Sequence, residues 1–358
     1  MPTSDSNETA AQSALARSRL YWLLGRLLLT GPSADLWPLL DAIEDLRLPL
    51  GADPEWPEWA AQHQQIFGFS LFPFGSFFLD TSGMVGGQVA ERVVEETTRL
   101  GYRPQDQSVG WDHIGVELDC LSFLCAAEGD AWQDNLPQQT QHIRMEAGRF
   151  LQDHLLCWLV PCLWAIRAEG NGFYQAVAET TFALVAGHYS NLTNSDLTNS
   201  NLAGSPPPTR QDFQAKKFNQ SKQTEESHLF TLPEPPSLLD DETTSLRDIA
   251  TFLMTPPYSG LFISRTTVTA WARALQLPRG FSTRTDMLVN LMQAGVQYDG
   301  FSPLITQIET TVQEAHDGYG AYLEEAPALR HAITPWKERT AETVQLLRRI
   351  GERANIPD

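Results

Sequence analysis

Asp112, His113 and Glu117 put two carboxyl groups and an imidazole into one short run, Trp111-Asp112-His113-Ile114-Gly115-Val116-Glu117-Leu118-Asp119-Cys120-Leu121. Such a set can move a proton, grip a guanidinium or cap a helix. Asp112 stands where an N-cap belongs, its carboxylate able to accept free backbone N–H groups. His113 and Glu117 are four apart, so on a helix they share a face and can hydrogen-bond. Downstream, Ile114, Leu118, Leu121 and Cys125 form one apolar stripe, and Val116, Cys120, Phe123 and Ala127 form a second beside it. Two stripes predict a helix covered on most sides, central to a bundle. A capped helix with a satisfied histidine fits these residues too.

The remaining candidates point away from catalysis. Cys120/Cys125 and Cys157/Cys162 are each five apart; five helical residues turn about 140°, which directs the two thiols apart. All four cysteines fall in apolar stripes, so core packing is expected and no metal. His154 lies on an apolar stripe and reads as a core histidine with a backbone partner. No Gly-x-Ser-x-Gly elbow, phosphate loop or His-Glu-x-x-His occurs. Gly83, Gly86 and Gly87 lack the following Lys-Ser/Thr of a phosphate cradle. Neither an enzymatic reaction nor a cofactor is predicted.

These residues need elements to position them, and the chain supplies helices. Leu20, Leu23, Leu24, Leu27 and Leu28 keep helical spacing within about 11–29, stopped by Gly31-Pro32. Arg26 interrupts that run, and no cleavage site follows, so no export signal is expected. Helices follow at about 35–46, 57–67, 88–100 and 141–168, the last kinked near Cys157 by Pro161; another runs to about Tyr189. Between them, 69–87 is rich in Phe and Gly without a helical period and predicts an ordered aromatic loop. Residues 191–243, Asn-, Ser-, Gln- and Pro-rich, predict a flexible linker. Helical pattern returns over 244–358, where Ser264 can cap a helix and Thr334-Pro335 looks like a helix start. The expected organisation is an all-α bundle over 1–190, the linker over 191–243 and a smaller helical region over 244–358. No stretch is long and apolar enough to span a bilayer. A net charge of −19, from 44 acidic and 25 basic residues, disfavours nucleic acid. Arg265, Arg273, Arg279 and Arg284 leave a helix-turn-helix DNA reader, or another regulatory role for 244–358, as the alternative.

The Asp112-His113 pair before an apolar helix resembles the Asp-His signature of the TorD/DmsD family of chaperones for molybdenum-cofactor oxidoreductases; Val109 and Gly110 depart from the family's preceding Glu-Pro. Phe72-Pro73-Phe74-Gly75-Ser76-Phe77-Phe78-Leu79-Asp80 is similar to its Pro-aromatic-x-Ser-x-Tyr-Leu-Asp loop. His154-Leu155-Leu156-Cys157-Trp158-Leu159-Val160-Pro161 is similar to its His-Leu-x-x-Trp-x-Pro helix. The resemblance covers about 15–190. It implies a cytoplasmic, non-enzymatic chaperone, monomer or homodimer, that binds the twin-arginine signal peptide of a molybdopterin oxidoreductase precursor. On that reading Asp112, His113, Glu117 and Trp111 meet the arginines, and Phe74, Phe77 and Phe78 receive the apolar part.

Overall fold

The computed structural model describes residues 4–106, 108–202, 230–238, 244–278, 280 and 282–354. Among them it is all helical, its one ladder contact a single antiparallel bridge between Phe74 and His113. Helix α1 (Ser4–Thr30) buries Tyr21, Leu24, Leu27 and Leu28. It ends where Gly31, at φ +82°, turns its N–H back onto the Leu27 carbonyl. The predicted helix over 35–46 is divided into α2 (Trp37–Leu40) and α3 (Glu44–Leu50), because Ile43 is extended and acts as the N-cap of the second. Helix α4 (Trp56–His63) runs on as a π-helical turn over Gln64–Ser70, which carries the chain into the aromatic loop. There α5 (Gly75–Leu79) is followed by α6 (Gly87–Arg99) and the central α7 (Ile114–Gln133).

Helix α7 lies against α1, and two glycines permit their close approach. A Cβ on Gly25 would sit 2.8 Å from the Gly115 carbonyl oxygen, and one on Gly115 would sit 2.6 Å from the Gly25 oxygen. Gly115 belongs to the first turn of α7, so this contact fixes where the Asp112-His113 run emerges. Below it, Glu128 on α7 accepts from Arg17 of α1 at 2.9 Å and from Arg144 at 2.7 Å. Arg144 lies on α8 (Pro137–Asp153), so one buried carboxylate ties three helices.

The single kinked helix expected over 141–168 is instead α8, a 3-10 turn at Leu155–Cys157 and α9 (Leu159–Glu169). Pro161 has no N–H to offer the Cys157 carbonyl four residues back. That carbonyl accepts from the Trp336 indole at 3.0 Å, far along the chain. Helix α10 (Gly172–Leu202) continues past the expected end at Tyr189, with Leu192 still buried. Of the predicted linker, 203–229 and 239–243 lie outside the described residues. Residues 230–238 form no helix; among them Phe230 stacks on Trp336 and Leu238 is buried.

The C-terminal helices are α11 (Leu246–Met254), α12 (Pro256–Ser259), α13 (Arg265–Ala274), α14 (Arg284–Gln297), α15 (Phe301–Glu325) and α16 (Arg330–Ala354). Ser264 caps α13 by accepting from the Thr267 N–H, as its position predicts. Thr334 does not cap α16: the helix begins at Arg330 and Pro335 lies inside it. Burial of Ala332, Ile333 and Trp336 stabilises the extra turn against the donor that proline removes. The buried apolar residues of 244–354 and those of the N-terminal helices form one continuous core.

Replacing Trp336 by Phe keeps most of the packing and strands the Cys157 carbonyl. The expected loss is about 1–3 kcal/mol, read from chemical denaturation; Trp336→Ala should cost about 3–5 kcal/mol. A Phe variant as stable as the parent would mean the indole hydrogen bond contributes nothing.

Candidate functional site

The site begins with the aromatic loop, which folds onto the start of α7. Ile114 N–H donates to the Pro73 carbonyl at 2.9 Å, and Gly75 N–H donates to the Asp112 carbonyl at 2.7 Å. Asp112 Oδ2 accepts from Ser76 N–H at 2.8 Å. Ser76 Oγ accepts from Gly86 N–H at 2.9 Å, which carries the tie to the entrance of α6. The acid therefore caps α5 rather than its own helix. His113 is the N-cap of α7, its Nδ1 accepting from Gly115 N–H at 3.0 Å. An accepting Nδ1 requires the uncharged ring with its proton on Nε2. Burial, reinforced by His63, holds the His113 imidazolium down to about 3.

Asp112 and Glu117 are both fully buried, and His113 nearly so. The expected His113–Glu117 side-chain bond does not form. Neither oxygen of Glu117 has a hydrogen-bond partner among the described residues, and Asp112 Oδ1 has none either. Burial raises the Glu117 pKa well above the carboxylate range, and the neighbouring Asp112 carboxylate raises it further. The Trp158 indole works in the opposite direction, but it makes no hydrogen bond of good geometry to Glu117. Burial and the Asp112 charge both favour the protonated, neutral form of Glu117.

The other predicted residues separate. The Phe74 ring meets His113 edge-on at 4.9 Å. Phe78 is buried in the core against Trp158 and Phe262, and Phe77 turns toward Arg284 on α14. Trp111, half-buried, lines a shallow cleft of about 390 Å³ together with Gly110 and the Ala90, Glu91, Val94 and Glu95 side of α6. Asp112 Oδ1 lies immediately behind the Gly110 wall of this cleft: a Cβ on Gly110 would be 3.2 Å from it. The sequence reading missed Glu91 and Glu95. They are ordinary exposed helix residues whose only local signal is their i, i+4 spacing beside Ala90 and Val94.

All four cysteines are buried and free. Folding brings Cys125 together with Glu128 and His188 rather than with a second cysteine. These could offer a thiolate, a carboxylate and an imidazole to a metal, but both Glu128 oxygens are engaged by Arg17 and Arg144. Burial pushes the Cys125 thiol up to about 12 and the His188 imidazolium down to about 3. His188 accepts or donates to the Tyr21 hydroxyl at 3.1 Å, which completes a core polar network. His154 sits at the break after α8, stacked on Phe150, with no side-chain backbone bond of the kind its position suggested among the described residues.

The site is thus a helical bundle whose central helix starts against an aromatic loop, with buried acids behind an acidic cleft. Residues 33–163 match the family model described as the nitrate reductase delta subunit, which bears out the resemblance to TorD/DmsD-type chaperones. That family is one of molybdoenzyme maturation chaperones, and it is what residues 33–163 are similar to. No curated protein and no solved structure matches the chain. No helix among the described residues is long and apolar enough to cross a membrane.

The neutral state of Glu117 has a measurable consequence. Its folded-state pKa is raised, so above the unfolded carboxylate pKa folding must take up a proton. The cost grows with pH by at most about 1.4 kcal/mol per unit until the folded pKa is passed. Glu117→Gln removes that linkage. It should raise the melting temperature more at pH about 8 than at pH about 5; equal shifts at both would show that Glu117 is ionised in the folded protein.

Proposed function

We propose that the cleft between α6 and Trp111, with the Asp112-His113-Glu117 cluster behind it, receives the twin-arginine signal peptide of a molybdenum-cofactor oxidoreductase precursor. The chain then acts in the cytoplasm, without catalysis. It holds the apo-enzyme during cofactor insertion and keeps it from premature export. The observation that supports this reading is the layered acid: Glu91 and Glu95 on an open rim, and Asp112 Oδ1 unpaired directly behind Gly110. A guanidinium is drawn by the rim and offers a planar fork of donors, which a carboxylate accepts better from arginine than from lysine. Ala90, Val94 and Trp111 give the adjoining apolar segment a surface.

Access to Asp112 requires the Gly110 wall to move, because the carboxylate is fully buried. Asp112 and His113 then have two tasks, since they also hold the aromatic loop against α7. Phe74 supports the wall from within: a Cβ on Gly110 would come 3.0 Å from its ring. Phe77 and Phe78 act in this reading through the packing of the loop.

The test is a peptide with two adjacent arginines and an apolar segment, titrated calorimetrically into the full chain. Glu91→Gln with Glu95→Gln, and separately Trp111→Ala, should weaken binding about tenfold, near the 1.4 kcal/mol that separates decades of affinity. Asp112→Asn, first shown folded by circular dichroism, should weaken it by a similar factor or more. Replacing both peptide arginines by lysine should also reduce affinity. Unchanged binding in the rim variants would remove the cleft from the reading. Unchanged binding in Asp112→Asn alone would confine the arginine site to the rim.

A further inference from the structure

A second cleft, of about 290 Å³, opens on another face of the aromatic loop, between that loop and the starts of α13 and α14. Arg265 and Arg284 line it, with the hydroxyls of Thr81, Thr251 and Thr285 and an apolar wall of Phe72, Phe77 and Met254. Arg284 is half-buried. Its guanidinium donates to the carbonyls of Ile263 and Met254, and lies 4.3 Å from the centre of the Phe262 ring and 5.0 Å from that of Phe77. It makes no ion pair among the described residues, and neither does Arg265.

Acids around these helix starts and the loop are engaged elsewhere, Asp80 by accepting from Ser82 N–H. Asp286 accepts from Thr283 and Arg247, and Glu169 accepts from Ser264 and Thr267. In a chain with 44 acidic residues, a desolvated cation beside a second cation, and no carboxylate facing it, is an uncompensated charge. Burial, and after it the charge of Arg265, lower the Arg284 pKa to about 9. An anion in the cleft removes both penalties.

We propose that this cleft binds a phosphate monoester carrying a small apolar or aromatic group. Arg284 and Arg265 hold the phosphate, hydroxyls of Thr81, Thr251 and Thr285 complete its hydrogen bonds, and the group it carries lies against Phe72, Phe77 and Met254. Arg265 can offer a dianionic tetrahedral oxyanion two donors in a plane, and Arg284, held by the Ile263 and Met254 carbonyls, adds its charge and its remaining N–H groups. The site draws on both the loop and the C-terminal helices, and it is separate from the peptide cleft.

The test uses the full chain at low salt, with phenyl phosphate, inorganic phosphate and benzyl alcohol as probes in calorimetry. Phenyl phosphate should bind more tightly than inorganic phosphate, benzyl alcohol should give no saturable heat, and added salt should weaken both phosphates. Arg265→Gln alters an exposed, unpaired side chain and should lower phenyl phosphate affinity about tenfold. Arg273→Gln, on the same helix but outside the cleft, should leave it unchanged. Absence of saturable phosphate binding to the parent overturns the proposal, as does equal loss in the Arg265 and Arg273 variants. Arg284→Lys, once shown folded, keeps the charge without the fork and should bind more weakly than the parent; parent-like affinity would remove Arg284 from the site.

Discussion

The tie between Asp112 and the backbone of Gly75 and Ser76 is the contact on which the rest depends. One residue supplies a carbonyl and a carboxylate to successive N–H groups of α5, while the next, His113, caps α7. A short helix rich in aromatics has little stability of its own. Held at its first turn by a buried charge-assisted hydrogen bond, it places Phe78 in the core, Phe74 on His113 and Phe77 over Arg284. Both clefts take part of their walls or backing from this loop, so one buried acid organises both surfaces.

That arrangement concentrates unsatisfied polarity. Orphaned oxygens on Asp112 and Glu117 are costly in a low-dielectric interior, and the protein limits the cost by keeping Glu117 protonated. His113 must stay neutral to cap its helix, and burial ensures that it does. Such a cluster stabilises little. It leaves acceptor oxygens unpaired behind a wall containing Gly110.

The C-terminal helices are joined to this core through a defect that proline creates. Pro161 leaves the Cys157 carbonyl without its helical partner, and Trp336 provides one while filling a fully buried site. Phe230 from the segment before α11 stacks on the same indole. Arg284 makes a comparable link at the aromatic loop, its fork closing on two carbonyls and two phenyl rings. The Trp336–Cys157 and Arg284–Phe77 contacts each join residues more than a hundred positions apart.

Periodicity sufficed for the helices that carry one clear stripe. The leucine spacing of α1, the Ile114, Leu118, Leu121 and Cys125 stripe of α7 and the Ser264 cap of α13 are local properties, decided by side-chain direction and backbone donors within a few residues; the second expected stripe of α7 holds only in part, for Phe123 is exposed. The motif around Asp112-His113 was legible for the same reason. Local pattern could not say which helix Asp112 caps, because its partner comes from the aromatic loop and not from the next turn. It could not divide α8 from α9 at His154, where the freed Cys157 carbonyl finds its donor in distant Trp336, or extend α16 back to Arg330, where burial of Ala332, Ile333 and Trp336 in the core holds the extra turn. Glu91, Glu95 and Arg284 gave no sign of their places, for an exposed or buried charge at helical spacing looks alike in sequence. Spacing along one chain sets which side chains share a face; only packing between faces sets which carboxyl keeps its proton and which cation is left without a partner.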